Sequence, residues 1–247
     1  MRIEAFRLGV VCRGETLWDG LDFSFESGAV SVVVGPPSSG KSLLLGILRG
    51  ERKPDAGDVL VSGESLYRGS GAAARAFRAS CGYVPERQEE EDRLVVGDLF
   101  RRSALACGGI SGRERKDREV SLLEMVGLPG GAKWSLPSLS VSERSRAYLA
   151  AELLRGPKVL FADGVVAAAG APHREKLAGL FRALAREGNT IVLAERLIPE
   201  RWAAAAEEAI PSGPFRVFRL PVPRQGSGAA PAVSPRAEDR GVDGGSA

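Results

Sequence analysis

The chain has 247 residues, 44% hydrophobic and 26% charged, enough apolar content for one large domain or two closely packed subdomains of a soluble globular protein. Its formal net charge of +3 is small, and Lys and Arg are interleaved with Asp and Glu, so the charge pattern does not select nucleic acid as a partner. Cys12, Cys81 and Cys107 lack metal-ligand spacing and His173 is the single histidine, which argues against a disulfide framework or zinc site and points to a reducing cytoplasm.

The N-terminal segment MRIEAFRLGVVCRGE carries scattered charges and no uninterrupted apolar core, so it does not read as a signal peptide. No stretch reaches the apolar length that spans a bilayer, and any membrane association is expected to come through a partner. The β-branched run Val30 to Val34, after the turn-like Glu26-Ser27-Gly28, predicts a strand buried on both faces, followed by a helix over Lys41 to Leu48. A second strand is predicted at Asp58 to Val61 after the turn Lys53-Pro54-Asp55-Ala56-Gly57, and a third at Gly82 to Val84. Helices follow at Val96 to Cys107, Glu114 to Val126 and, after a Ser140 cap, Val141 to Arg155. Strands at Val159 to Ala162 and Thr190 to Ala194 complete the pattern.

Strands alternating with helices predict βαβ units and a parallel sheet with ligand at the carboxyl ends of its strands. The expected division is one domain over 1–220, interrupted by a helical subdomain at about 90–155, and a disordered Pro-, Gly-, Ala- and Ser-rich tail over 221–247.

Residues 35 to 42, GPPSSGKS, match G-x-x-x-x-G-K-[ST] between a buried strand and a helix, the context that motif requires. The candidate phosphate-binding residues are Gly35, Pro36, Pro37, Ser38, Ser39, Gly40, Lys41 and Ser42. Gly35 and Gly40 let backbone N–H groups close around phosphates, Lys41 supplies a point charge for them, and Ser42 offers its hydroxyl to Mg²⁺. ATP or GTP binding is the resulting expectation.

From this loop onward the order and spacing of motifs resemble the ABC ATPase family over about residues 3 to 219. ERKPDAGDVLVSGESL resembles the family's stretch after its first helix, and CGYVPE the strand leading into the Q-loop. SLSVSERSRAYLAAELLRGPKVLFAD resembles the LSGGQ signature and the helix running into the Walker B strand, which places Asp163 as the acid beside Mg²⁺. The base-reading Asn-Lys-x-Asp element of GTPases is missing, which favours ATP.

The resemblance implies an α/β P-loop NTPase of the ABC ATPase type, with a parallel-sheet core and an inserted helical subdomain. It implies ATP and Mg²⁺ as cofactors, with Ser42 and Asp163 as metal-binding residues. It implies a head-to-tail pair with a second ABC ATPase subunit, in a homo- or heterodimer, with Ser140 donating to the γ-phosphate bound by the other subunit. A transmembrane permease subunit is the other implied partner; it would hold the chain peripherally at the inner face of the cell membrane, with a coupling helix received near Glu86 to Leu99.

Several positions depart from the family pattern. Gly164 stands where hydrolysing members carry the general base Glu, and Arg196, or Glu195 if the register slips by one, stands at the switch His. Glu86 replaces the Q-loop Gln, with Gln88 two residues later as a substitute, and Gly170 replaces the D-loop Asp. Val11 or Cys12 replaces the adenine-stacking aromatic, and Val141 and Ser142 add Cβ atoms where the signature prefers Gly. His173 is expected on solvated surface without a role. Together these predict retained ATP binding with poor hydrolysis by the chain alone. A displaced acid such as Glu195 serving a competent ATPase, and a regulatory ATP-binding module outside transport, are the alternatives.

Overall fold

The structure, a computed structural model, describes residues 1–88, 94–107, 110–197 and 215–221. The N-terminal part forms β1 (Ile3–Cys12) and β2 (Glu15–Phe25), an antiparallel pair whose register shifts at several points along β1. After β3 (Val30–Val34) and α1 (Lys41–Leu48) come β4 (Ala56–Val61), β5 (Glu64–Ser65), α2 (Gly71–Ser80) and β6 (Cys81–Val84). The helical stretch α3 (Val96–Cys107), α4 (Gly112–Met125) and α5 (Val141–Leu153) follows, then β7 (Val159–Asp163), α6 (Val165–Ala169), α7 (Ala171–Arg186), β8 (Thr190–Glu195) and β9 (Phe215–Arg219).

Two sheets result. One is antiparallel with order β2-β1-β4-β5; the other is wholly parallel with order β6-β7-β8-β3-β9. Strands β3, β7 and β8 are buried at every position, as required when both faces of a parallel sheet are covered. Alternation along each strand then divides the core. Val30, Val32, Leu160, Ala162, Ile191 and Leu193 pack with buried residues of α3, α5, α6 and α7. Val33, Val159, Phe161, Val192 and Ala194 pack with α1 and with Trp18 and Phe25 of the antiparallel sheet. The parallel sheet is therefore a middle layer, and its carboxyl ends converge on the loop before α1.

The core strands and helices α3, α4 and α5 fall within a few residues of their sequence-based limits. The predicted strand at Asp58 to Val61 exists as part of β4, but it pairs antiparallel with β1 instead of joining the parallel sheet. The sequence reading did not resolve β1, β2, β5, β9, α2 or α6. Residues 222–247 of the predicted tail lie outside the described residues.

Candidate functional site

The loop between β3 and α1 sits where the parallel strands end: Gly35 N–H donates to Glu195 O (3.3 Å), and Leu220 N–H donates to Val34 O (2.8 Å). Pro36, Pro37 and Ser38 are exposed at its crest, whereas Ser39 is completely buried beneath it. Gly40 caps α1 in the left-handed conformation (φ +87°), and a Cβ there would lie 2.3 Å from the Trp18 ring. Only glycine meets both demands. Lys41 folds back over the loop, its Nζ donating to Gly35 O and Pro36 O, both at 2.7 Å. Burial lowers the Lys41 pKa, while the neighbouring carboxylates of Asp163, Glu86 and Glu195 oppose the shift.

Asp163 ends β7 next to this loop and is almost fully buried, with Oδ2 lacking any protein hydrogen-bond partner. Burial raises its pKa, and a hydrogen bond from the Ser42 hydroxyl opposes that shift. A desolvated carboxylate oxygen without a partner, next to a hydroxyl, fits a hard divalent cation such as Mg²⁺, which takes oxygen ligands.

Gly164 follows in the left-handed region (φ +66°) and caps α6, its N–H donating to Ala194 O at 2.8 Å. A Cβ on Gly164 would stand 3.1 Å from Glu86 Cγ, so the Glu86 side chain packs over this position. Arg196 Nη2 lies 3.0 Å from Glu86 Oε1. Glu195 points the other way, into the protein. Its Oε1 accepts from Val166 N–H (2.8 Å) and its Oε2 from Ala167 N–H (3.1 Å), so it caps α6 from β8. Burial pushes its pKa up to about 7, against the lowering effect of those two N–H groups. Of the two residues aligned with the switch His, Arg196 is thus the one that faces the site mouth.

Other candidates sit apart from this cluster. Ser140 is the N-cap of α5 in a capping box with Glu143: its hydroxyl donates to Glu143 Oε2 (2.6 Å) and accepts from Glu143 N–H (3.3 Å). Ser142 Oγ donates to Ala169 O (3.1 Å), tying the signature helix to α6, and Val141 is exposed. Gln88 Nε2 donates to Pro85 O (2.7 Å), and Gly170 separates α6 from α7. Val11 and Cys12 are exposed at the end of β1. His173 is half-buried near Gly127, less exposed than expected, because the loop after α4 lies against the first turn of α7. Of the segment Glu86 to Leu99, residues 89–93 lie outside the described residues.

Sequence reasoning missed Trp18. Its indole Nε1–H donates to Ser39 O (3.0 Å) from beneath the loop. β2 is interrupted by charged and small residues, which hid it as a strand, and nothing in its pattern says which way Trp18 faces.

A glycine loop between a buried parallel strand and a helix, with an acid ending a parallel strand two places away in the same sheet, defines a P-loop nucleotide-binding domain. The family model described as ABC transporter matches residues 18–167, more than half of the chain, and the chain belongs to that family. It is 31% identical over 179 residues to the macrolide export ATP-binding/permease protein MacB 1 of Aeromonas hydrophila, covering 70% of this chain and 27% of that protein. It is 32% identical over 184 residues to the methionine import ATP-binding protein MetN of Caulobacter vibrioides, covering 73% and 54%. The chain therefore spans less than two thirds of either relative's length. Among solved structures, the dimeric MJ0796 cassette of a bacterial ABC transporter superposes with a TM-score of 0.71 at 21% identity, covering 79% of this chain and 88% of that one. That likeness shows the fold: an α/β P-loop NTPase of the ABC ATPase type.

Proposed function

We propose that this chain is the ATP-binding subunit of a transporter complex that binds ATP with Mg²⁺ and hydrolyses it poorly by itself. The observation that carries the reading is the pairing of a complete phosphate loop with Gly164, which offers no carboxylate and lies under Glu86. In this reading residues Gly35 to Ser42 cradle the phosphates, and Ser42 and Asp163 would hold Mg²⁺, which when bound neutralises phosphate charge. Lys41 exchanges the carbonyl oxygens of Gly35 and Pro36 for phosphate oxygens.

The chain supplies no general base at the end of β7, and general acid–base help is worth about 10²–10⁴-fold in rate. A second ABC ATPase subunit therefore supplies the missing acid, in a pair where Ser140 and Val141 of this chain face the nucleotide of the partner. A permease holds the pair at the inner face of the membrane. Binding of a fluorescent ATP analogue, measured alongside phosphate release for wild type and Lys41→Ala, tests the reading. It predicts saturable wild-type binding with phosphate release at the Lys41→Ala background; steady wild-type turnover contradicts it.

One observation favours a second reading, a competent ATPase using a displaced acid. Glu195 has its pKa raised to about 7, the range suited to a general base, next to Asp163. Both its oxygens are committed to α6 and it is 1% exposed, which weighs against contact with an attacking water. Phosphate release abolished by Glu195→Gln would favour this second reading.

A further inference from the structure

Resting on the reading of the phosphate loop as a nucleotide cradle, we infer that Trp18 is a positioning residue for that cradle: its indole N–H fixes the orientation of the Ser39–Gly40 peptide. The Trp18 side chain is 1% exposed, and its Nε1–H is satisfied by Ser39 O at 3.0 Å in a buried setting. The described residues contain no cis peptide bond. In a trans peptide the C=O of one residue and the N–H of the next point in opposite directions. Pinning Ser39 C=O against Trp18 therefore turns the Gly40 N–H away from the core, toward the open side of the loop.

That N–H donates to no group among the described residues, whereas its neighbour Ser39 N–H is used by Pro36 O (3.2 Å). It is thus a free donor at the start of α1, held ready for a phosphate oxygen. Gly40 enforces the same arrangement from the other side, since a Cβ there would collide with both Trp18 and Leu17. The antiparallel sheet gains a role in this way: β1 and β2 pair Val10 with Trp18 and so set the height of the indole under the loop.

The test uses the full chain. Trp18→Phe keeps an aromatic ring under the loop and removes only the N–H and part of the ring system. It is expected to stay folded by circular dichroism and to weaken ATP and ADP alike by about tenfold, equivalent to about 1.4 kcal/mol. Packing alone would lower the melting temperature and leave affinity unchanged. Wild-type affinity in a folded Trp18→Phe protein overturns the inference while leaving the nucleotide site standing; a wild-type chain that binds no ATP overturns the site and the inference with it. Should Trp18→Phe fail to fold, the chain carrying Trp134→Phe and Trp202→Phe leaves Trp18 as its only indole. ATP with Mg²⁺ is expected to change its emission, and an unchanged spectrum at saturating, independently measured ATP binding overturns the inference.

Discussion

Arg196, just past the end of β8, holds Glu86, just past the end of β6, at 3.0 Å across the glycine that follows Asp163. Both side chains are about half exposed, so the pair adds only about 0–1 kcal/mol to stability. Its consequence lies in binding. Arg196 and Glu86 both act on Lys41 and Asp163, so they face the place a terminal phosphate would take. A γ-phosphate there competes with Glu86 for the guanidinium and is repelled by the carboxylate. Glu86→Gln is expected to raise ATP affinity about threefold to tenfold with less effect on ADP, because a charge-assisted hydrogen bond is worth about 1.5–3 kcal/mol before the exchange is subtracted. Arg196→Met is expected to narrow the preference for ATP over ADP. Competition binding with both nucleotides checks the pair, and equal changes for ATP and ADP would argue against it.

Restoring a carboxylate by Gly164→Glu is expected to fail as a simple rescue. The backbone there is left-handed, which disfavours a side chain by about 1–2 kcal/mol, and the new Cβ meets Glu86 Cγ at 3.1 Å. The single variant should melt about 2–8 °C lower and release phosphate at the wild-type level. Gly164→Glu combined with Glu86→Ala relieves the contact and should raise phosphate release above either single variant. Full activity from Gly164→Glu alone would show that the local backbone relaxes to place the acid.

The loop and the acid at the end of β7 were legible in the sequence because each is local: eight contiguous residues in one case, a buried strand ending in Asp in the other. The role of Glu195 was not legible. Aligned as a slipped switch residue or a displaced acid, it accepts from two N–H groups of α6, a contact hidden in the sequence because β8 and α6 meet only in three dimensions. The same holds for β4, whose strand character was plain while its partner β1 was hidden by the irregular pattern around Arg7 and by register shifts.

Glu195 makes stability depend on pH in a direction opposite to that of a paired surface carboxylate. Its folded pKa is raised from 4.5 to about 7, mainly by burial. Asp163 adds to the rise, while Arg174 and the N–H groups of Val166 and Ala167 oppose it. The folded form therefore holds its proton to higher pH than the unfolded chain does. The contribution of this group is fully present below about pH 4.5 and is lost as pH rises through about 7. The span corresponds to at most about 3 kcal/mol. Chemical denaturation of wild type and Glu195→Gln between pH 5 and pH 8 reads this directly: wild type should lose stability across the range relative to the variant, and parallel curves would show that the carboxylate titrates normally.

Asp163 should show a trade between stability and metal dependence. Its Oδ2 is buried without a partner and its pKa is raised by burial, so without a cation the ionised side chain is a net burden on the fold. Asp163→Asn removes the charge and keeps the shape, and the metal-free protein is expected to be as stable as wild type or about 1 kcal/mol more stable. The same substitution removes the anionic ligand that fits Mg²⁺, so ATP affinity should no longer improve when Mg²⁺ is added. Thermal melts in EDTA and ATP titrations with and without Mg²⁺ measure the two arms separately. A variant that melts well below wild type in EDTA would mean that Asp163 is held by protein contacts, and the case for a cation at this carboxylate would lose its main support.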